Sequence, residues 1–242
     1  MNGVECPGKS CIKGSQMKCI VTAGPTYEEL DDVRRMTNFS TGALGSKLAN
    51  YLVQQGHEVE LLLGHYSTCR IESKAQRVQV FTTSDDLKRR LQRLGSNKIN
   101  AVFHAAAVCD FTFGKIWRRA PGGKLMPVNS RKISTRSGPL LAELTATPKI
   151  IGHLRSWYPN AYLVGWKYEL EGGRAHVIAQ AKRQLEENHT DACVVNGRAY
   201  GRGFGLVTTD GRCRPLRDAK ALFAALVEFS AHGEPRAVTQ AR

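Results

Sequence analysis

The chain has 242 residues, of which 42% are hydrophobic, and a formal net charge of +14. That length suits one large α/β domain with a substantial core, and no apolar run reaches the roughly 20 residues a membrane span requires. The positive charge is concentrated rather than spread. Seven bases (Lys115, Arg118, Arg119, Lys124, Arg131, Lys132, Arg136) and one acid fall between Asp110 and Pro139, so that window alone supplies +6 of the +14. Aromatic residues are not interleaved there as stacking platforms for nucleobases. The window therefore points to a polyanionic small ligand rather than to nucleic acid.

In chain order, MNGVECPGKSCIKGSQ has basic residues but no apolar centre and does not fit a signal peptide. Residues 1–16 are expected to be a disordered extension, or a misassigned start ahead of Met17, and the protein to be cytoplasmic. KCIVTAG (18–24) is β-branched and ends in glycine, the pattern of a strand. GALGSKLANYLVQQG (42–56) places Leu44, Leu48, Tyr51 and Leu52 at helical spacing and closes on Gly56. HEVELLLG (57–64) and VQVF (78–81) read as strands, and SDDLKRRLQRL after them as a helix capped by Ser84. INAVFHAAAV (99–108) is apolar enough for a strand buried on both faces. TPKIIGHLRSW (147–157) reads as a helix capped by Thr147 with Pro148 in its first turn. AYLVGW (161–166), DACVVN (191–196) and FGLVTTDG (204–211) read as strands; 173–188 and 215–232 read as helices, and 233–242 as a frayed tail.

This alternation implies one domain over 17–232: a Rossmann-like, doubly wound, mostly parallel sheet covered on both faces. Ligands in such sheets sit beyond the carboxyl ends of the strands, where the strand order switches. Segment 111–146 breaks the alternation and is expected to be an inserted flap, a hairpin of KLMPVN with LLAELTAT, that covers the site or pairs subunits. The seven cysteines (Cys6, Cys11, Cys19, Cys69, Cys109, Cys193, Cys213) form no CxxC pair and no tetrahedral His/Cys spacing. Reduced, mostly buried thiols and no protein-ligated metal are expected.

The first strand ends in AGPT (23–26), and the next helix is preceded by NFSTGALG (38–45). The GxGxxG of ordinary dinucleotide sites is missing. Ser40, Thr41, Gly42 and Gly45 nevertheless crowd a helix start, where free amide hydrogens and the helix dipole attract anions. Capping alone would explain Ser40 and Thr41. Their position after AGPT favours phosphate.

AGPTYEELDDVRRMTNFSTGALG resembles the signature of the phosphopantothenoylcysteine synthetase family, the ligase of coenzyme A biosynthesis (phosphopantothenate–cysteine ligase). AAVCDF (106–111), KI (132–133), TPKII (147–151), VGWKYE (164–169) and DACVVN resemble further segments of that family in the same order, over about residues 18–210. The resemblance implies that 4′-phosphopantothenate is activated by a nucleoside triphosphate as an acyl-nucleotide, with release of pyrophosphate, and is then joined to cysteine. It implies CTP or ATP with Mg²⁺, and a homodimer whose sites are completed by the flap. By the same resemblance Asn38 and Lys132 are the catalytic candidates. Gly24, Ser40, Gly42, Gly45, Ala106, Asp110, Trp166 and Asn196 are nucleotide candidates. Asn38, Ala106, Ala107 and Asp110 also line the substrate. Read without the resemblance, Asn38 is an ordinary turn residue, Lys132 one solvated lysine among many, Asp110 a strand terminator and Trp166 a core residue.

Three features depart from the family pattern. Gln184 and Asn188 stand where its bacterial form has two lysines that favour CTP, which leaves CTP and ATP both open. KIST retains only Lys132 of a lysine-rich run. The upstream flavin-dependent decarboxylase domain of many members has no room here, so FMN is not expected. A nicotinamide-dependent oxidoreductase is the alternative enzyme, disfavoured because no Tyr-x-x-x-Lys pair lies on an obvious helix. A non-enzymatic, basic nucleotide- or nucleic-acid-binding module is the alternative outside enzymes.

Overall fold

The computed structural model describes residues 16–95 and 99–232. The expectations for the amino-terminal extension and the 233–242 tail, and those for Cys6 and Cys11, fall outside the described residues. The elements are, in order, β1 (Lys18–Ala23), β2 (Tyr27–Glu29), β3 (Arg35–Thr37), α1 (Ala43–Gln54), β4 (Glu58–Gly64), β5 (Arg77–Phe81), α2 (Ser84–Arg93), β6 (Ala101–His104), β7 (Phe111–Arg119), β8 (Leu125–Pro127), β9 (Leu140–Ala146), α3 (Ile151–Trp157), β10 (Tyr162–Tyr168), α4 (Gly173–Asn188), β11 (Ala192–Asn196), β12 (Phe204–Thr208), β13 (Cys213–Leu216) and α5 (Ala219–His232).

Eight strands form one sheet in the order β13-β12-β11-β10-β6-β1-β4-β5. The six from β11 to β5 run parallel, and β12 and β13 are added antiparallel at one edge. The chain runs outward from β1 through β4 and β5, then returns to place β6 on the other side of β1, which is the doubly wound order with its switch between β1 and β6.

Side chains of β1 alternate between two cores, as the two-residue strand repeat requires. Cys19, Val21 and Ala23 pack with Leu48 and Leu52 of α1 and Leu222 and Leu226 of α5. Ile20 packs on the opposite face with Leu87 and Leu91 of α2 and Leu154 of α3. Val177, Ala181 and Leu185 of α4 cover Cys193 and Val195 of β11. Each fully buried leucine or valine of this kind contributes about 1.5–3 kcal/mol. The five described cysteines are free thiols, and burial pushes the Cys19 and Cys193 thiols up to about 12.

Several boundaries differ from the sequence expectation. Thr83, not Ser84, caps α2, its hydroxyl accepting from the Asp86 amide at 3.2 Å. Ser84 is the first helical residue, and its amide donates to the Glu28 carboxylate. Helix α3 begins at Ile151 rather than in the Thr147–Pro148 turn. Thr147 is instead held to the chain before β7, its amide donating to the Asp110 carbonyl at 2.9 Å and its hydroxyl to that of Cys109 at 2.5 Å. The segment 213–216 is the edge strand β13, so the last helix starts at Ala219. Finally, KLMPVN and LLAELTAT do not pair with each other. β7 lies between them, giving a three-stranded flap in the order β8-β7-β9.

Candidate active site at the switch in strand order

The carboxyl ends of β1 and β6 lie side by side at the switch, and two buried threonines lace them together. Thr22 accepts from the Ala106 amide at 3.1 Å, and Thr26 from the Cys109 amide at 2.8 Å. Backbone bonds continue the seam: the Ala107 amide donates to the Gly24 carbonyl at 3.0 Å and the Thr26 amide to the Ala107 carbonyl at 3.1 Å. The ends of the two strands therefore form one rigid rim.

On one side of this rim lies the glycine turn. Gly24 and Gly42 have φ of +82° and +74°, a region closed to most side chains. A Cβ on Gly42 would lie 3.3 Å from Gly24 Cα, so the two turns touch through bare backbone. Ser67 holds them there, its hydroxyl donating to the Thr41 carbonyl at 2.7 Å. Gly42, the residue before α1, has no side chain to cap the helix; the Thr41 hydroxyl accepts from the Ala43 amide, the first of the helix, at 3.3 Å. At Gly45 a Cβ would meet Ala23 Cβ at 2.6 Å, so its absence also lets α1 lie against β1.

Asn38 bridges to the other side. Its side-chain amide nitrogen donates to the carbonyls of Ala107 and Val108 at 3.2 and 3.1 Å. Its own carbonyl accepts from the Ser40 amide at 2.9 Å. The Asn38 carboxamide is thereby fixed between the glycine turn and the β6 rim, with its oxygen lacking a partner among the described residues.

Beyond β6 opens a cleft of about 360 Å³, with Ala106 and Asp110 on its rim, Trp166 of β10 in its wall and Gln184 and Asn188 of α4 opposite. Lys149, Lys167 and Arg183 also line it, as do Asp110 and Glu187. Gly165 has no Cβ to obstruct Gln184, whose amide donates to the Cys193 sulfur at 3.3 Å. The Trp166 indole nitrogen is buried without a partner.

The structure thus brings together Gly24, Ser40, Gly42 and Asn38 at the rim, and Ala106, Asp110 and Trp166 in the adjoining cleft, with Ala107 as the seam between them. It does not bring Lys132 or Asn196 into that cleft. Lys132 lines a separate depression with Val33, Arg34 and Ile133, on a loop bound to the β2–β3 turn. There the Asp31 carboxylate accepts from the amides of Val33, Arg34 and Ile133 and from the Arg34 guanidinium, which also donates to the Ile133 carbonyl. That guanidinium, more than any other neighbour, holds the Asp31 carboxyl far below the usual carboxylate range. Arg131 adds an exposed ion pair to Asp32 at 2.8 Å. Asn196 ends β11, where its carbonyl accepts from the Glu169 amide and its side-chain oxygen is buried without a partner. Thr22, Thr26 and Ser67 were not picked out by sequence reading. Each is an unremarkable hydroxyl residue until the fold sets it against a partner far away in the chain.

A family model described as the DNA/pantothenate metabolism flavoprotein C-terminal domain matches residues 14–213. The chain belongs to this family. Among curated relatives, the coenzyme A biosynthesis bifunctional protein CoaBC of Thermococcus kodakarensis is 31% identical over 197 residues, covering 81% of this chain and 45% of that protein. Its namesake in Bacillus subtilis is 30% identical over 190 residues, covering 78% of this chain and 42% of that protein. The chain thus spans less than half the length of these two relatives. The crystal structure of the DNA/pantothenate metabolism flavoprotein from Streptococcus pneumoniae superposes with a TM-score of 0.75 at 24% identity, covering 88% of this chain and 97% of that one. That likeness speaks for the fold. No described helix is long and apolar enough to cross a membrane.

Proposed function

We propose that this domain joins 4′-phosphopantothenate to cysteine at the expense of CTP or ATP. The observation that carries the reading is the fixed Asn38 carboxamide, held between the glycine turn that opens α1 and an open cleft. The family, with its coenzyme A biosynthetic relatives, supplies the substrate class. In the first half-reaction a carboxylate oxygen of phosphopantothenate attacks the α-phosphorus of the nucleotide, and pyrophosphate leaves. In the second, the cysteine amine attacks the carbonyl carbon of the mixed anhydride, forms the amide, loses a proton and expels the nucleoside monophosphate.

Neither step calls for a protein nucleophile. Both call for two reactants held in line and for stabilisation of developing negative charge. Gly24, Ser40, Gly42 and the amides opening α1 offer phosphate a backbone cradle. Asn38 positions the pantothenate amide and the acyl intermediate. Ala106 and Ala107, being small, let ligand approach the strand end. Trp166 and Asn196 are assigned to the nucleotide side, together with Asp110. In this reading Mg²⁺ accompanies the triphosphate. Lys132, on a loop tethered to the hairpin that leads into Asn38, is assigned to stabilising the charge that builds up in either half-reaction. The exposed Phe111, Leu125, Met126 and Leu144 of the flap favour its burial against a second copy, giving a homodimer.

The test is pyrophosphate release from phosphopantothenate, Mg²⁺ and CTP or ATP, with and without cysteine. Release that depends on phosphopantothenate, with cysteine needed for sustained turnover, is the expected result. Asn38→Asp and Lys132→Gln should each lower kcat by at least tenfold with little change in melting temperature. No release with either nucleotide, or full activity in both variants, contradicts the assignment.

A further inference from the structure

His104 has no role in the reading above, yet it ends β6 at the switch itself and lines the cleft. The ring is almost wholly buried, and its Nδ1 lies 2.9 Å from the Thr22 hydroxyl oxygen. The neighbours of that hydroxyl settle which atom carries the proton. Thr22 is fully buried, and its oxygen already accepts the Ala106 amide hydrogen. A buried hydroxyl hydrogen left without an acceptor costs about 1–3 kcal/mol. Nδ1 is the acceptor within reach of it among the described residues, so Thr22 donates to Nδ1 and the ring proton resides on Nε2. His104 Nε2 is not among the buried side-chain atoms that lack a partner. It has no hydrogen-bond partner among the described residues either, so it faces the open cleft.

We infer that His104 is a ligand-binding residue: its Nε2–H, oriented by the Ala106–Thr22–Nδ1 chain, donates a hydrogen bond to an acceptor oxygen or nitrogen of the nucleotide bound in the cleft. This rests on the nucleotide-dependent reaction proposed above. The donor is a neutral one, since burial pushes the imidazole down to about 4. It therefore adds direction to a wall whose positive charge comes from Lys149, Lys167 and Arg183. The same chain ties the ring to the backbone amide of Ala106, so ligand and strand end are registered against each other.

Two substitutions separate the ring's two edges. In His104→Asn the shorter side chain can still accept from Thr22 but no longer reaches into the cleft. In His104→Gln an amide donor is restored near the Nε2 position. Titration calorimetry of the full chain with Mg–CTP and with Mg–ATP should show about 3- to 10-fold weaker binding for Asn, the worth of one hydrogen bond, at an unchanged melting temperature, and recovery of most of that loss for Gln. Nitrogen NMR of ¹⁵N-histidine-labelled wild-type protein should show the His104 ring with its proton on Nε2, and that proton shifting when nucleotide is added. Unchanged affinity in His104→Asn, or a proton on Nδ1, overturns the inference while leaving the ligase reading in place. Wild-type protein that binds neither nucleotide overturns both.

Discussion

Gly42 sits at φ +74° with its α-carbon against Gly24 and Ser67. A methyl group there meets two obstacles, the left-handed backbone and the Ser67 side chain. Gly42→Ala should lose about 1–2 kcal/mol from the backbone term alone, read by urea denaturation, and should reduce pyrophosphate release further than that loss of stability explains. A variant as stable and as active as the wild type would mean that the turn is neither strained nor used. At this scale the glycine turn was legible because it follows the first strand end, where the fold places ligands, whereas Asn38, Ala106 and Asp110 were legible only through the family resemblance. Thr22 and Thr26 were not. A threonine in a strand is what β propensity alone provides, and their amide partners lie more than 80 residues along the chain. The aspartate of DACVVN also looks different in three dimensions. Asp191 is buried in an ion pair with Arg155 at 2.7 Å and accepts from the Leu163 amide, so it fastens β11 to β10 and α3.

The small elements were the hardest to foresee. β2 and β3 have three residues each, too short for a two-residue repeat to show, and their turn is set by Asp31 rather than by glycine or proline. The flap was visible as a break in the alternation, but not its central strand. β7 mixes aromatic and basic residues without a sustained two-residue repeat, and none of its residues is fully buried. Asp31 joins these two elements, binding the β2–β3 turn to the Lys132 loop, and its depressed carboxyl gives a pH signature. Its folded-state value lies below its unfolded one, so its contribution is complete above the unfolded value near 4 and is lost as the pH falls toward the folded value. The stability gap between wild type and Asp31→Asn, from urea melts, should be widest above pH 5 and narrow steadily toward pH 2. A gap independent of pH would show that the ionised carboxylate is not what holds the loop.

At the scale of the molecule, the alternation of apolar runs was sufficient to give the doubly wound sheet, and the structure places its switch between β1 and β6. The edge was less readable. Cys213–Leu216 includes a proline, which an outermost strand tolerates and an inner one does not, and the sequence alone ran it into the last helix. The basic window is now divided between the flap and the Lys132 loop, and the cleft draws its cations instead from Lys149, Lys167 and Arg183. A site assembled in this way suits two anionic reactants meeting at a strand end, with the carboxylate of one becoming joined to the phosphorus of the other. The most direct test of that chemistry follows the oxygen. Phosphopantothenate labelled with ¹⁸O in its carboxylate, turned over with unlabelled nucleotide, Mg²⁺ and cysteine, should yield nucleoside monophosphate carrying one ¹⁸O. Label appearing in inorganic phosphate, or remaining absent from the nucleotide while product forms, would contradict the acyl-nucleotide route on which the account depends.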